Sequence, residues 1–265
     1  MGIFGRDLGS QKREERQVDA FDQIRLDGVG EVDVRLGDAD HIVVEAPEEL
    51  LDDIETRVER GVLELGLRDG HITHSWRGIR IRFEVTARTL RGLAIDGSGS
   101  IDAPQLRSDS LGVSIDGAGR ITIQEAVATR LHISIDGAGR VSLGTAKARE
   151  TRCQIDGAGT IDLGGLEGDE AQIGIDGHGR VTAAGTVHRL AIVIDGTGEA
   201  DTRGLQANTV EVRIDGVGKV RTRAEETLDV RVDGFGRVEY AGNPRVHQRI
   251  DGSGRVVRAT EASQS

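Results

Sequence analysis

The chain is short of almost everything from which a conventional globular core is built. Of its 265 residues one is cysteine, three are proline and 2% are aromatic. A single cysteine excludes an intramolecular disulfide and gives no mark of an oxidising compartment. So few rings exclude a core of Phe and Trp, and the interior must be aliphatic. They also leave little to stack on nucleobases or sugar rings. Basic residues are in deficit: the formal net charge is −11, which argues against a nucleic-acid partner. There is no run of 18 apolar residues, so no helix is expected to cross a membrane. Met1 to Gln17 lacks the apolar stretch of a signal peptide, so the chain as written is expected in the cytoplasm, with the cell envelope as the alternative.

Glycine is in excess, with 38 residues, and it is periodic. The unit is an apolar β-former followed by Asp-Gly-x-Gly, as in Ile115-Asp116-Gly117-Ala118-Gly119. Its aspartates are Asp96, Asp116, Asp136, Asp156, Asp176, Asp195, Asp215, Asp233 and Asp251, with steps of 20, 20, 20, 20, 19, 20, 18 and 18 residues. Leu26 to Gly30 repeats the motif in isolation. A fixed period near 20 means one structural unit per repeat, stacked on its neighbours.

Within a repeat, Leu131, Ile133 and Ile135 alternate with polar residues and point inward. Asp136 then faces outward, and Gly137-Ala138-Gly139 turns the chain, with glycine permitting positive φ. Val141 and Leu143 start a second short strand, and Gly144 to Ala148 returns the chain to the next coil. Such a unit cannot bury its own apolar face. Coils stacked in parallel at about 4.8 Å can, and nine markers give a rod of roughly 40 to 45 Å. The fold expected is all-β: a right-handed parallel β-helix, or β-solenoid. Cys153 falls where sister repeats carry Ile133 or Ile173, which makes it a core residue.

The expected organisation is a flexible tail over 1–18, a β-rich portion over 19–89, the regular solenoid over 90–258 and a second tail over 259–265. The mixed-charge run Lys12 to Arg16 reads as solvated. Met1 to Arg6 offers at most a weak membrane-surface tether. Pro47 to Ile54 reads as a helical turn or broad loop, Thr56–Val58 and Val62–Leu65 as a hairpin around Arg60-Gly61, 69–78 as an exposed loop, and Ile79 to Val85 as a strand.

Several of these stretches resemble the auto-transporter adhesin head GIN domain family. Phe21 to Val34 is similar to its opening, and Val43 to Ile54 with Arg60 to Leu65 to its next segment. The spaced Gly-x-Gly turns cover the rest, to about Arg258. The resemblance implies a right-handed β-solenoid of bacterial origin, at the cell envelope, with no established catalytic residues. Where that family has a small residue such as Ser, this chain has its turn aspartate. Where the family often has Asp, this chain has Arg140 or Arg180.

The aspartates are the candidate chemistry. Carboxylates stacked at coil spacing repel by roughly 0.9 kcal/mol per pair in water and about 3.5 at an effective dielectric of 20. The reading adopted is structural: each carboxylate accepts N–H groups of its own turn, beside a basic ladder four positions on, formed by Arg120, Arg140, Arg180, Lys219, Arg237 and Arg255. The sharper alternatives are a calcium ladder on Asp116, Asp136, Asp156 and Asp176 and hydrolysis by paired carboxylates. A uniform column gives neither a cage nor the unlike environments that split two pKa values. His71-x-x-His74 reads as an incidental loop pair, and His178 as a variable turn position. No enzyme, metal or cofactor is implied. The functional expectation is a scaffold or interaction protein that self-associates end to end or binds a protein partner. The alternative is an envelope module recognising a polar surface.

Overall fold

The structure is a computed structural model, and it describes residues 10–68 and 80–259. The N-terminal portion is not a separate layer beside the solenoid but its first coil with an insertion. Strands β2 (Gln23–Gly28) and β3 (Glu31–Leu36) flank the turn at Leu26 to Gly30. β2 pairs in parallel with β8 (Gly92–Gly97), placing Asp27 against Asp96 and Gly28 against Gly97. The motif that stands isolated in sequence is therefore the rung directly beneath the first regular repeat.

The insertion holds β4 (His41–Pro47), a 3-10 helix (Glu48–Asp53), β5 (Ile54–Glu59), β6 (Val62–Leu67) and β7 (Arg82–Ala87). β5 and β6 form the expected hairpin, with Arg60 at φ 52° and Gly61 at φ 81° in its turn. Both central residues at positive φ match the twist of a two-residue hairpin. β6 lies parallel to β2, and β4 runs antiparallel to β7.

The charged run at the N-terminus departs from expectation. Residues expected in a solvated tail form β1 (Gln11–Arg16), antiparallel to β4. Its charges bond rather than float. Arg16 donates to the carbonyls of Ile54 and Leu51, both at 2.6 Å, and Arg13 reaches Glu84 at 2.7 Å. A charged strand is a suitable edge, because it discourages further pairing. The expected loop at 69–78, with His71 and His74, lies outside the described residues, as do residues 1–6 and 260–265.

From Ser100 the coils are uniform. β9 (Ser100–Gly117), β10 (Arg120–Ile135), β11 (Arg140–Ile155), β12 (Thr160–Ile175), β13 (His178–Ile194), β14 (Thr197–Ile214) and β15 (Val217–Val232) each pair in parallel with the next. The expected two short strands per coil are one strand, because pairing continues through the return stretch, as at Ala126 against Ala146. The final coil is built from β16 (Phe235–Ala241) and β17 (Arg245–Ile250), both on β15, followed by β18 (Ser253–Arg258) on β16. Together these coils form a β-solenoid.

Inward positions stack as aliphatic columns: Ile115, Ile135, Ile155, Ile175, Ile194, Ile214 and Val232 are all buried. Cys153 sits in such a column as expected, and burial pushes its thiol up to about 12. The turn glycines answer to a different need from the one expected. Positive φ occurs at Gly97 and Gly117 but not at the first glycine of later turns. A Cβ on Gly137 would collide with the carbonyl oxygen of Gly117, and one on Gly139 would come within 2.6 Å of Ile115 Cγ2. Close approach between stacked turns, more than conformation, requires glycine there.

That distinction is testable by thermal unfolding. Gly137→Ala is expected to destabilise by about 1–3 kcal/mol, as overpacking does. Gly112→Ala, whose Cβ would have no neighbour nearer than 3.9 Å, should be neutral or slightly stabilising. Equal losses at both positions would refute the packing argument.

Candidate functional site

The aspartate column exists, and backbone register builds it. Ile115, Ile135 and Ile155 are paired coil to coil, and each is followed by its aspartate. The ladder continues through the corner. Asp136 N–H donates to the Ile115 carbonyl at 2.9 Å, Ala138 N–H to Gly117 at 2.6 Å and Arg140 N–H to Gly119 at 3.0 Å. These turn N–H groups serve the coil beneath. They are not the donors that the carboxylates were expected to use.

The column is instead managed in two ways along its length. In the middle, the Gln154 amide donates to Asp156 at 3.0 Å and to Asp176 at 2.6 Å. That donation holds Asp156 below the usual carboxylate range. Partial desolvation raises Asp136 and Asp176, and each is raised further by sharing a hydrogen bond with Asp156. Charge repulsion from Asp156 adds to the rise in both, so the column keeps part of its repulsion, and the Gln154 amide relieves it at Asp156. In the last coils, arginine takes over: Arg213 Nε donates to Asp215 at 2.9 Å, Arg231 to Asp233 at 2.8 Å and Arg249 to Asp251 at 2.7 Å.

The expected basic ladder is in register but faces the wrong way to serve this column. Arg120 lies against Arg140, and Lys219, Arg237 and Arg255 lie in sequence on successive coils. Arg140 lies 3.6 Å from Asp162, Arg180 2.9 Å from Glu199 and Arg237 2.6 Å from Glu239. The Gly-x-Gly corner separates residue +4 from the aspartate and puts it on the next face. The true partners stand two residues before the aspartate, on the same strand face. Arg-x-Asp at 213, 231 and 249 was the available signal.

Before the corner, the outward positions four and two residues ahead of each aspartate form one continuous face. Small residues dominate its first coils, among them Gly92, Ala94, Gly112, Ser114 and Ser134. His132, Arg152 and Gln172 follow, with Arg152 donating to Gln172 at 2.9 Å. Glu211, Arg213, Asp229, Arg231 and Arg249 end it. Three shallow depressions lie along it, of about 340 Å³ around Gly112, about 220 Å³ around His132 and about 550 Å³ around Val193 and Arg231. Among the described residues no group of three or more His, Cys, Asp or Glu side chains could hold a metal ion. The column of Asp116, Asp136, Asp156 and Asp176 thus presents adjacent pairs, not a cage.

The family model described as "Putative auto-transporter adhesin, head GIN domain" matches residues 20–147 and 143–244. The chain belongs to this family. No curated protein matches it. Among solved structures, a "putative adhesin" from Parabacteroides merdae superposes with a TM-score of 0.76 at 20% identity, covering 95% of this chain and 97% of that one. A "putative lipid binding protein" from Parabacteroides distasonis gives 0.73 at 22% identity, covering 95% and 98%. A second "putative adhesin" from that organism gives 0.73 at 19%, covering 95% and 98%. At these identities the likeness establishes the fold. The GIN-domain membership points to the cell envelope, and the cytoplasmic expectation finds no support in it.

The raised carboxyls give the column a pH signature. Asp136 and Asp176 are raised in the folded state, so folding takes up protons there, and their contribution is most favourable at low pH and lost as pH rises past the carboxylate range. Asp176→Asn should therefore raise the melting temperature at pH 7 by about 1 °C, a few tenths of a kcal/mol on an exposed face. The gain should vanish as pH falls below the ordinary carboxylate value of 3.8, where both states are protonated. A gain that persists in acid would count against a raised Asp176.

Proposed function

We propose that this GIN-domain solenoid is a non-enzymatic recognition module of the cell envelope that lays its pre-corner face along an extended, polar partner. The observation carrying the reading is the alignment of the three depressions on a single face parallel to the stack. Small side chains keep its first coils open, and ordered polar side chains line the rest. Adjacent coils repeat nearly the same environment, which suits a partner that is itself repetitive. It does not suit the splitting of acid and base roles that hydrolysis needs.

The reading predicts that filling the face abolishes binding without loss of fold. Biolayer measurements against a panel of neutral and acidic bacterial polysaccharides should show at least one binder. Gly112→Arg with Ser134→Arg should weaken it by tenfold or more, since both side chains project from the open part of the face. Absence of any binder, or a binder indifferent to that double variant, would remove the proposal.

A second reading, end-to-end self-association, is supported by β17 and β18, each with one strand neighbour among the described residues. Exposed β edges invite pairing with another chain. Light scattering over a concentration series should then show a mass rising above the monomer. A constant monomer mass at millimolar protein would end that reading.

A further inference from the structure

The corner of the rod changes character along its length, and neither the family nor the face accounts for it. In the early coils the residue at the tip of the turn is Ala118, Ala138 or Ala158. In the later coils it is Val217 and Phe235, adjacent and in register. They are 53% and 65% exposed, in a chain whose aromatic content is only 2%. Exposing a Phe and a Val side by side keeps in contact with water apolar surface that burial would stabilise. An apolar step left outside in this way marks a contact surface.

The charges beside that crest also change at this point. Two residues beyond it run Lys219, Arg237 and Arg255 on successive coils. Glu239 takes up Arg237 at 2.6 Å, and Arg221 is shared among Glu199, Asp201 and Glu239; the four cations Lys219, Arg221, Arg237 and Arg255 thus stand beside three acids, leaving an excess of one positive charge. On the near side, the aspartates that make the rest of the corner acidic are neutralised by Arg213, Arg231 and Arg249. Among the described residues, only here does the corner combine an apolar crest with cations on one flank and cancelled charge on the other. The net charge of −11 resides largely elsewhere on the chain, and screening over about 8 Å limits its influence on this strip.

We propose that the corner at Val217 and Phe235 is a membrane-contact ridge for anionic phospholipid. The two apolar side chains enter the headgroup boundary, and Lys219, Arg237 and Arg255 meet lipid phosphates. A ridge fits a bilayer because it is convex: neither residue lines any of the three depressions. A soluble polyanion would use the cations but has no use for the crest. Since the column runs along the stack, the rod lies on its side at the bilayer. This surface is separate from the recognition face, and either can fail without the other.

Co-sedimentation with phosphatidylcholine vesicles, with and without phosphatidylglycerol, tests the ridge. Binding is expected only with phosphatidylglycerol, and it should fall as salt rises. Phe235→Gln, Val217→Ser and the triple Lys219→Gln, Arg237→Gln, Arg255→Gln should each leave the fold intact by circular dichroism. The Phe235 variant and the triple should weaken binding by about tenfold or more, and the Val217 variant by less. Ala138→Ser, at the equivalent tip of an early coil, should change nothing. No binding to phosphatidylglycerol vesicles at low salt would overturn the proposal. So would binding that ignores both Phe235→Gln and the triple variant, or that soluble polygalacturonate removes while Phe235→Gln does not.

Discussion

The in-register backbone ladder between coils is the constraint on which the rest of this solenoid depends. Its hydrogen bonds do not stop at the corners: the turn amides of one coil donate to the turn carbonyls of the coil beneath, as Ala158 does to Gly137 at 2.8 Å. Turns held this closely leave no room for a Cβ, and that is why the glycines recur. Register also places like residues on like residues, so every outward choice becomes a column. Inside, this is favourable, because stacked Ile and Val side chains fill a narrow interior that, among the described residues, buries aromatic rings only in its N-terminal part, at Phe21 and Phe83. Outside, it sets an electrostatic problem for any ionised column.

The two solutions to that problem divide the rod. Around Asp156 a single amide, donated by Gln154, bridges two neighbouring carboxylates and offsets part of their repulsion. Around Asp233 guanidinium groups two residues away neutralise it outright, and the donated bond from Arg231 holds that carboxyl below its usual range. A small residue at the turn position would have avoided the problem. The aspartate costs repulsion where its neighbours in the column are other carboxylates and becomes favourable where an arginine stands on the same strand face. The final coils are consequently more ordered in charge than the early ones, and more varied in the side chains they present.

Much of this was legible in the sequence for a simple reason: period and alternation are local. The column from Ile115 to Val232, the burial of Cys153 and the hairpin at Arg60-Gly61 follow from spacing and residue type within a few positions. Contacts spanning the insertion were not legible. Asp27 lies against Asp96 although 55 residues intervene between the two coils, at positions 37–91. Nothing within Leu26 to Gly30 says which later turn it supports. Strand β1 was missed because a charged run has no apolar alternation, and its pairing is decided by β4 and by acceptors such as the Leu51 carbonyl. The basic ladder was read in the right register and on the wrong face, since linear spacing does not reveal how sharply Gly-x-Gly turns the chain.

The same symmetry bears on what such a rod can do. Catalysis needs neighbouring groups in unlike environments, and exact repetition keeps making them alike. Difference enters where the repeat shortens. From Asp176 onward the spacing runs 19, 20, 18 and 18 residues, and the ladder shifts register at Leu163/Leu166, Thr182/Ala184, Thr202/Gln206 and Ala207/Thr209. All four shifts fall in the return stretch, away from the corner, so Val217 still meets Phe235 and Arg213 still meets Arg231. The corner is thus free to vary in side chain while fixed in geometry. Function in such a fold is expected where identity changes along a column that keeps its register, and the corner of the last coils meets that condition.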